Sequence, residues 1–233
     1  MCGRYATSKT PDALAEEFAA QVAESDLTFE PDWNVAPTKP APIVIERPPK
    51  EGQPGGREVL LAQWGLVPSW AKDPKIGSRM INARRETVAE KPAFAKAFAQ
   101  RRAIVPADGY YEWYAGESGK QPFFIAPKGR GTLAMAGLFE FWKASAEAAW
   151  LISFTVITTT ASDDLGHIHD RTPMMLVDEQ IDAWLDPTPR PTDELLGIMT
   201  PAVPGRLDAW PVSTQVNNHR HNGPQLVEPI PLD

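Results

Sequence analysis

Cys2 is the only cysteine in the 233-residue chain, and it directly follows the initiator methionine in Met1-Cys-Gly-Arg. Removal of Met1 leaves one residue with both an α-amine and a thiol. Such a 1,2-aminothiol condenses with an aldehyde: the amine forms an imine, and the neighbouring sulfur closes on the imine carbon to give a five-membered thiazolidine. A cysteine inside a chain lacks the amine and cannot do this. In model peptides the amine titrates near ~8 and the thiol near ~8.5, so each is partly nucleophilic around neutral pH. A solitary cysteine elsewhere reads as a small buried hydrophobe; position 2 and singularity favour a nucleophile. Other chemistries lack their signatures. There is no Gly-x-Ser-x-Gly elbow. Gly116-Glu-Ser-Gly-Lys120 has the wrong glycine spacing for a phosphate loop and reads as a hairpin turn. One cysteine and four histidines give no closed zinc constellation. No metal and no cofactor is expected.

Six short motifs are spread along the chain: Met1-Cys-Gly-Arg-Tyr, Asn34-Val-Ala-Pro37, Trp64-Gly-Leu-Val-Pro-Ser-Trp70, Ile81-Asn-Ala-Arg-Arg-Glu-Thr87, Ala107-Asp-Gly-Tyr-Tyr-Glu-Trp113 and Ile168-His-Asp-Arg-Thr-Pro173. In order and separation they resemble the SRAP (SOS-response-associated peptidase) family, abasic-site sensors that crosslink to DNA. The resemblance runs from Cys2 to Asn217. It implies a catalytic group of Cys2, Asn82, Glu112 and His169. An open-chain abasic sugar presents a C1′ aldehyde to the Cys2 amine. Glu112 matches the family's catalytic glutamate and can take up the amine proton, while His169 matches its histidine and can exchange protons with the sugar oxygens. Asn82 matches an asparagine that holds the Cys2 backbone and the sugar. The resemblance also implies DNA contacts. Arg4, Arg84 and Arg171 fall at phosphate-binding positions. Arg85 lies beside Arg84 with its side alternating, and Asn34 joins this set. Trp70 and Pro37 fall where apolar groups meet exposed bases, and stacking on single-stranded bases is sequence-tolerant. Thr172 departs from the family pattern, which more usually has an apolar or basic residue there.

The elements that must position these residues follow from patterning. Thr10-Pro11-Asp12 is an N-cap, a proline at the first helical position and an acid in the first turn. Leu14, Phe18 and Val22 extend the helical spacing to about residue 24. Residues 30–57 are rich in proline and glycine, with one apolar run at Ile43–Ile45 and an exposed loop at Glu51–Arg57. Strands are expected at Glu58–Gly65, Arg102–Val105, Tyr110–Tyr114, Pro122–Ala126, Leu133–Phe141, Trp150–Thr159 and Trp210–Thr214, and helices at Lys91–Gln100, 178–186 and 192–199. The fold class is α+β: a single SRAP-like domain over residues 1–233, of curved, largely antiparallel, barrel-like sheet flanked by short helices.

Composition sets limits. The chain has 24 prolines, against a helical bundle, and a net charge of −7, against bulk electrostatic coating of nucleic acid. DNA binding must therefore be local, and Arg79, Arg84, Arg85, Arg101 and Arg102 cluster with Lys75, Lys91 and Lys96. No apolar run reaches the ~20 residues that span a membrane. One cysteine excludes an internal disulfide framework and fits a reducing compartment, so the cytoplasm is the expected location, nucleoid-associated when on DNA. The expected partner is single-stranded DNA with abasic sites, and the expected state a monomer. Two other functions remain open: a thiol peptidase with Cys2 as N-terminal nucleophile, acting on Met1 or other peptides, and non-catalytic binding to modified duplex DNA, which leaves Cys2 without a role.

Overall fold

The computed structural model describes residues 2–231 except 25, 50, 53, 54, 117, 118, 130, 162–164, 167 and 201–204. Met1 and His167 therefore lie outside the described residues, as do Glu117 and Ser118 of the expected hairpin turn. The chain begins β1 (Tyr5–Thr7), α1 (Pro11–Glu17), β2 (Gln21–Val22), β3 (Asp32–Val35), β4 (Pro40–Arg47), β5 (Gly56–Trp64), a 3-10 turn (Pro74–Arg79), β6 (Asn82–Arg84) and α2 (Ala95–Gln100). It continues β7 (Arg102–Ala107), β8 (Gly109–Gly116), β9 (Gly119–Pro127), β10 (Leu133–Trp142), β11 (Leu151–Thr160), β12 (Arg171–Pro173), β13 (Met175–Leu176), α3 (Asp178–Leu185), α4 (Thr192–Ile198) and β14 (Leu207–Pro211).

Five strands close on themselves. β11, β10, β7, β4 and β5 are neighbours in that order, and β5 pairs back onto β11 in parallel, with Gln63 opposite Ser153 and Trp64 opposite Phe154. Closure abolishes the edges that an open sheet exposes. Alternate residues fill the interior: Ala41, Ile43 and Ile45 of β4, Leu60, Ala62 and Trp64 of β5, Ala103 and Val105 of β7, Met135 and Phe139 of β10, and Phe154 and Val156 of β11. At the interior position Gly137 a methyl group would lie 2.8 Å from the Val105 side chain, so only glycine lets β7 and β10 approach so closely there. The opposite faces, including Val44, Val59, Ile104, Ala136 and Ile157, pack under the helices with Leu14, Phe98 and Trp184. A second sheet, ordered β14, β9, β8, β1 and β3, leans on the barrel through Tyr5, Tyr110 and Ile125.

The α+β class and the curved, largely antiparallel barrel match the sequence expectation, but several boundaries differ. The first helix stops at Glu17 rather than about 24. Ala19 turns the chain into positive φ (49°), and Gln21 and Val22 pair with Glu58 and Val59 instead of extending the helix. The proline-rich stretch 30–57 hides two strands. In β4, Pro40 and Pro42 pair only with β5, while the β7 ladder begins at Val44, so the missing N–H groups break no ladder on that side. The expected loop at Glu51–Arg57 ends sooner. Gly56 and Arg57 already belong to β5, and Arg57 donates to the Phe18 carbonyl and to Glu46 and Asp182. The short strands β1, β6 and β12 carry three of the chemical motifs and were read as motifs rather than as strands.

Candidate functional site

β1 and β8 are the elements that bring Cys2 and Glu112 together. Tyr5 pairs with Tyr110 and Ala6 with Gly109. Continuing this antiparallel register sets Gly3 opposite Glu112, and the Tyr111 N–H donates to the Arg4 carbonyl at 2.9 Å. Cys2 is fully buried among the barrel-interior residues, including Tyr5, Trp64 and Val156, and its Sγ lies 3.8 Å from the Arg4 carbonyl. Asn82 reaches it from the other side. β6 pairs with β11, Asn82 against Val156 and Arg84 against Thr158, and Asn82 Nδ2 donates to the Cys2 carbonyl at 2.6 Å. The segment 66–80 that delivers Asn82 is clamped where Gly65 and Gly77 cross. A Cβ at either would meet the other's carbonyl at about 2.5 Å, and Gly65 has φ +123°. Asn82 Oδ1 is buried and accepts no hydrogen bond, so the amide fixes Cys2 with one end and offers an acceptor with the other.

Glu112 is 3% exposed. Burial raises its carboxyl to about 7 because an ionised oxygen loses its hydration there. The Cys2 thiol is pushed well up, first by burial and then by the Glu112 charge. His169 sits before β12. Its Nδ1 accepts the Arg171 backbone N–H at 3.0 Å, which places the proton of the neutral ring on Nε2. The same nitrogen lies 2.9 Å from the Asp170 carboxylate. That contact favours the imidazolium, yet burial outweighs it and the pKa falls below 6.5. Glu112 and His169 face one narrow cleft of about 10 Å³, lined also by Tyr110, Ile125, Leu165 and Thr172. Thr172 thereby gains a structural account: its hydroxyl lies 3.0 Å from the Tyr110 hydroxyl in the buried wall of this cleft. An acid near neutrality and an imidazole below its ordinary value can together exchange protons around pH 7.

The residues expected to touch DNA are scattered by the fold. Arg84 is exposed and carries no ion pair among the described residues. Trp70 is 59% exposed and walls a surface groove of about 590 Å³ whose other lining includes Lys72, Lys75, Arg79 and the acidic Asp73; Lys75 and Arg79 belong to the basic cluster seen in the sequence, and Lys72 was missed there. Pro37 is half-buried in the turn beyond β3, tied to the end of β5 by Thr38 N–H to the Trp64 carbonyl. Asn34 requires correction. It is wholly buried, and its amide nitrogen donates to the carbonyls of Val216, Asn218 and His221 while Oδ1 accepts from Arg4. It ties the 216–221 segment to β3 and has no surface for DNA. Arg4 is correspondingly committed, with Nη1 on Asn34 Oδ1 at 2.6 Å and on the Val216 carbonyl at 2.8 Å. Arg85 is also corrected: it donates to the carbonyls of Leu196 and Met199 at the end of α4, on the far side of the strand from Arg84. Arg171 is held bidentately by Glu86 at 2.8 and 3.0 Å, a partner overlooked in sequence although it lies two residues after Arg84. Among the described residues no group of His, Cys, Asp and Glu could hold a metal ion.

The class of protein is thus a closed β-barrel with a position-2 cysteine buried against its interior, an asparagine on that cysteine's carbonyl and a buried glutamate on the adjoining strand. The chain belongs to the family described as SOS response associated peptidase (SRAP), which matches residues 1–219. Among its relatives is the abasic site processing protein YoqW of Bacillus subtilis (strain 168), 37% identical over 229 residues that cover 98% of this chain and 99% of that protein. The abasic site processing protein HMCES of Xenopus tropicalis is 32% identical, covering 100% of this chain and 79% of its own. A solved structure from Bacteroides thetaiotaomicron has the same fold, with a TM-score of 0.84 at 24% identity over 98% of this chain and 100% of that one.

Proposed function

We propose that the protein processes abasic sites, capturing them in single-stranded DNA as a thiazolidine on Cys2 after removal of Met1. The names of its relatives support the abasic-site part. The observation that carries the covalent part is the Cys2 environment: a backbone carbonyl held by Asn82 and a carboxyl tuned to about 7 on the adjoining strand. In this reading ionised Glu112 takes a proton from the Cys2 ammonium. The amine attacks C1′ of the open sugar, and the resulting hydroxyl leaves as water once protonated by the acid forms of Glu112 or His169. Sγ then attacks the iminium carbon and gives up its proton, so one water is lost overall. The high thiol pKa suits this order, because sulfur acts second, on a strongly electrophilic iminium. It disfavours the peptidase reading, in which a thiolate must attack an amide first. The groove at Trp70 with its three cations supports local binding of a single strand despite the net charge of −7. Denaturing electrophoresis after mixing with abasic single-stranded DNA tests the proposal. Wild type should give a heat-stable shifted band and Cys2→Ala none; an equal band from Cys2→Ala removes Cys2 from the chemistry.

A further inference from the structure

Arg171 stands at the rim of the cleft, yet every N–H it could offer a phosphate is already spent. Nη1 donates to Glu86 Oε1 at 2.8 Å and lies 3.4 Å from the Thr160 hydroxyl. Nη2 donates to Glu86 Oε2 at 3.0 Å, to the Thr158 carbonyl at 2.6 Å and to the Thr158 hydroxyl at 3.2 Å. Nε is buried without an acceptor. A guanidinium has five N–H bonds, and here four face protein acceptors while the fifth is covered. The two partners differ in freedom. The Arg171 side chain is 13% exposed and pinned to the β11 backbone, whereas Glu86 is 44% exposed and can turn into water. Arg84 pairs with Thr158 and Arg171 with Thr160. Residues two apart on β11 share a face, so the two arginines flank one place, Arg84 open and Arg171 closed by Glu86.

We propose that Glu86 is a displaceable stand-in for a DNA phosphate: it occupies the Arg171 fork in the unbound protein and is exchanged for a backbone phosphate that lands first on Arg84. This deepens the DNA-binding reading above and rests on it. The exchange is balanced. Arg171 trades one bidentate anion for another and is never left as an uncompensated charge beneath the surface, while the departing carboxylate is rehydrated. The carboxylate therefore competes with DNA, and removing its charge should tighten binding, whereas a Glu86 that merely buttresses Arg171 should do the reverse when removed.

The test is a titration of an unmodified single-stranded oligonucleotide against wild type, Glu86→Gln, Glu86→Ala, Arg171→Ala and Glu86→Gln with Arg171→Ala, across several salt concentrations. The proposal expects both single Glu86 variants to bind roughly 3- to 5-fold tighter, the scale of an exposed ion pair, with a salt slope steeper by up to ~0.7 for one fuller phosphate contact. It expects that gain to vanish in the Arg171→Ala background, because the fork is then absent. Glu86 variants that weaken binding as much as Arg171→Ala overturn the proposal and make Glu86 a buttress. A gain of equal size in the Arg171→Ala background also overturns it, since bulk charge then accounts for the effect. No binding by wild type refutes the DNA reading itself and is distinct from either result.

Discussion

Glu112→Gln should separate stability from activity in opposite directions. Burial raises the Glu112 carboxyl from the ordinary 4.5 to about 7, so between these values the folded chain binds more protons at this site than the unfolded chain does. Stability contributed by the group is therefore greatest below pH 4.5, falls as pH rises, and is fully lost above pH 7. A difference of this size corresponds to about 3 kcal/mol, an upper figure because Glu112 interacts electrostatically with its neighbours. Glutamine keeps the shape without the charge. At pH 8 the variant should be more stable than wild type by up to about 3 kcal/mol, which for a chain of this length is roughly 6–12 °C in melting temperature; at pH 4.5 the two should melt together. Crosslinking should suffer instead. Loss of a positioned proton acceptor slows such steps by about 10²–10⁴-fold, and the rise in wild-type rate as pH passes about 7 should disappear from the variant. Thermal melts at pH 4.5 and 8, with single-turnover crosslinking across the same range, measure both effects. A variant no more stable than wild type at pH 8, or one that crosslinks at the wild-type rate, refutes the argument that Glu112 is a buried, activated carboxylate.

Three further outcomes follow from the geometry. Trp70→Ala should weaken single-strand binding by about 1–3 kcal/mol with little change in salt slope, because an exposed ring contributes stacking rather than charge; binding titrations decide this. Arg84→Ala should lower the salt slope by ~0.7 and leave the melting temperature within a degree or two, since Arg84 is exposed and carries no ion pair among the described residues. Asn34→Ala should cost about 1–3 kcal/mol or more in denaturant unfolding, because it strips the carbonyls of Val216, Asn218 and His221 of a shared donor and leaves Arg4 without its carboxamide acceptor.

The barrel was legible where strands alternate cleanly: Leu133–Phe141 and Trp150–Thr159 proved to be β10 and β11 within a residue or two. It was illegible where proline interrupts a strand that pairs on one side only, as at Pro40 and Pro42, and where a helical spacing is cut by one residue in positive φ, as at Ala19. That the motif residues sit near one another was legible through their chemistry: Asn82 holds the Cys2 carbonyl, the Glu112 charge acts on the Cys2 thiol, and Glu112 and His169 line one cleft. The fate of the polar residues around them was not. Asn34 and Arg85 look like surface groups in sequence, yet the fold spends both on backbone carbonyls more than a hundred residues away. Pairings at such separation leave no local periodicity, so Glu86 as the partner of Arg171 emerges only once β6 and β12 flank β11.

Intact mass of the protein after mixing with an abasic single-stranded oligonucleotide tests the central claim most directly. The account predicts a single adduct on chains that begin at Cys2, with the mass of processed protein plus DNA less one water, and no adduct on chains that keep Met1. An adduct on Met1-containing chains, or one that maps to any residue other than Cys2, contradicts it.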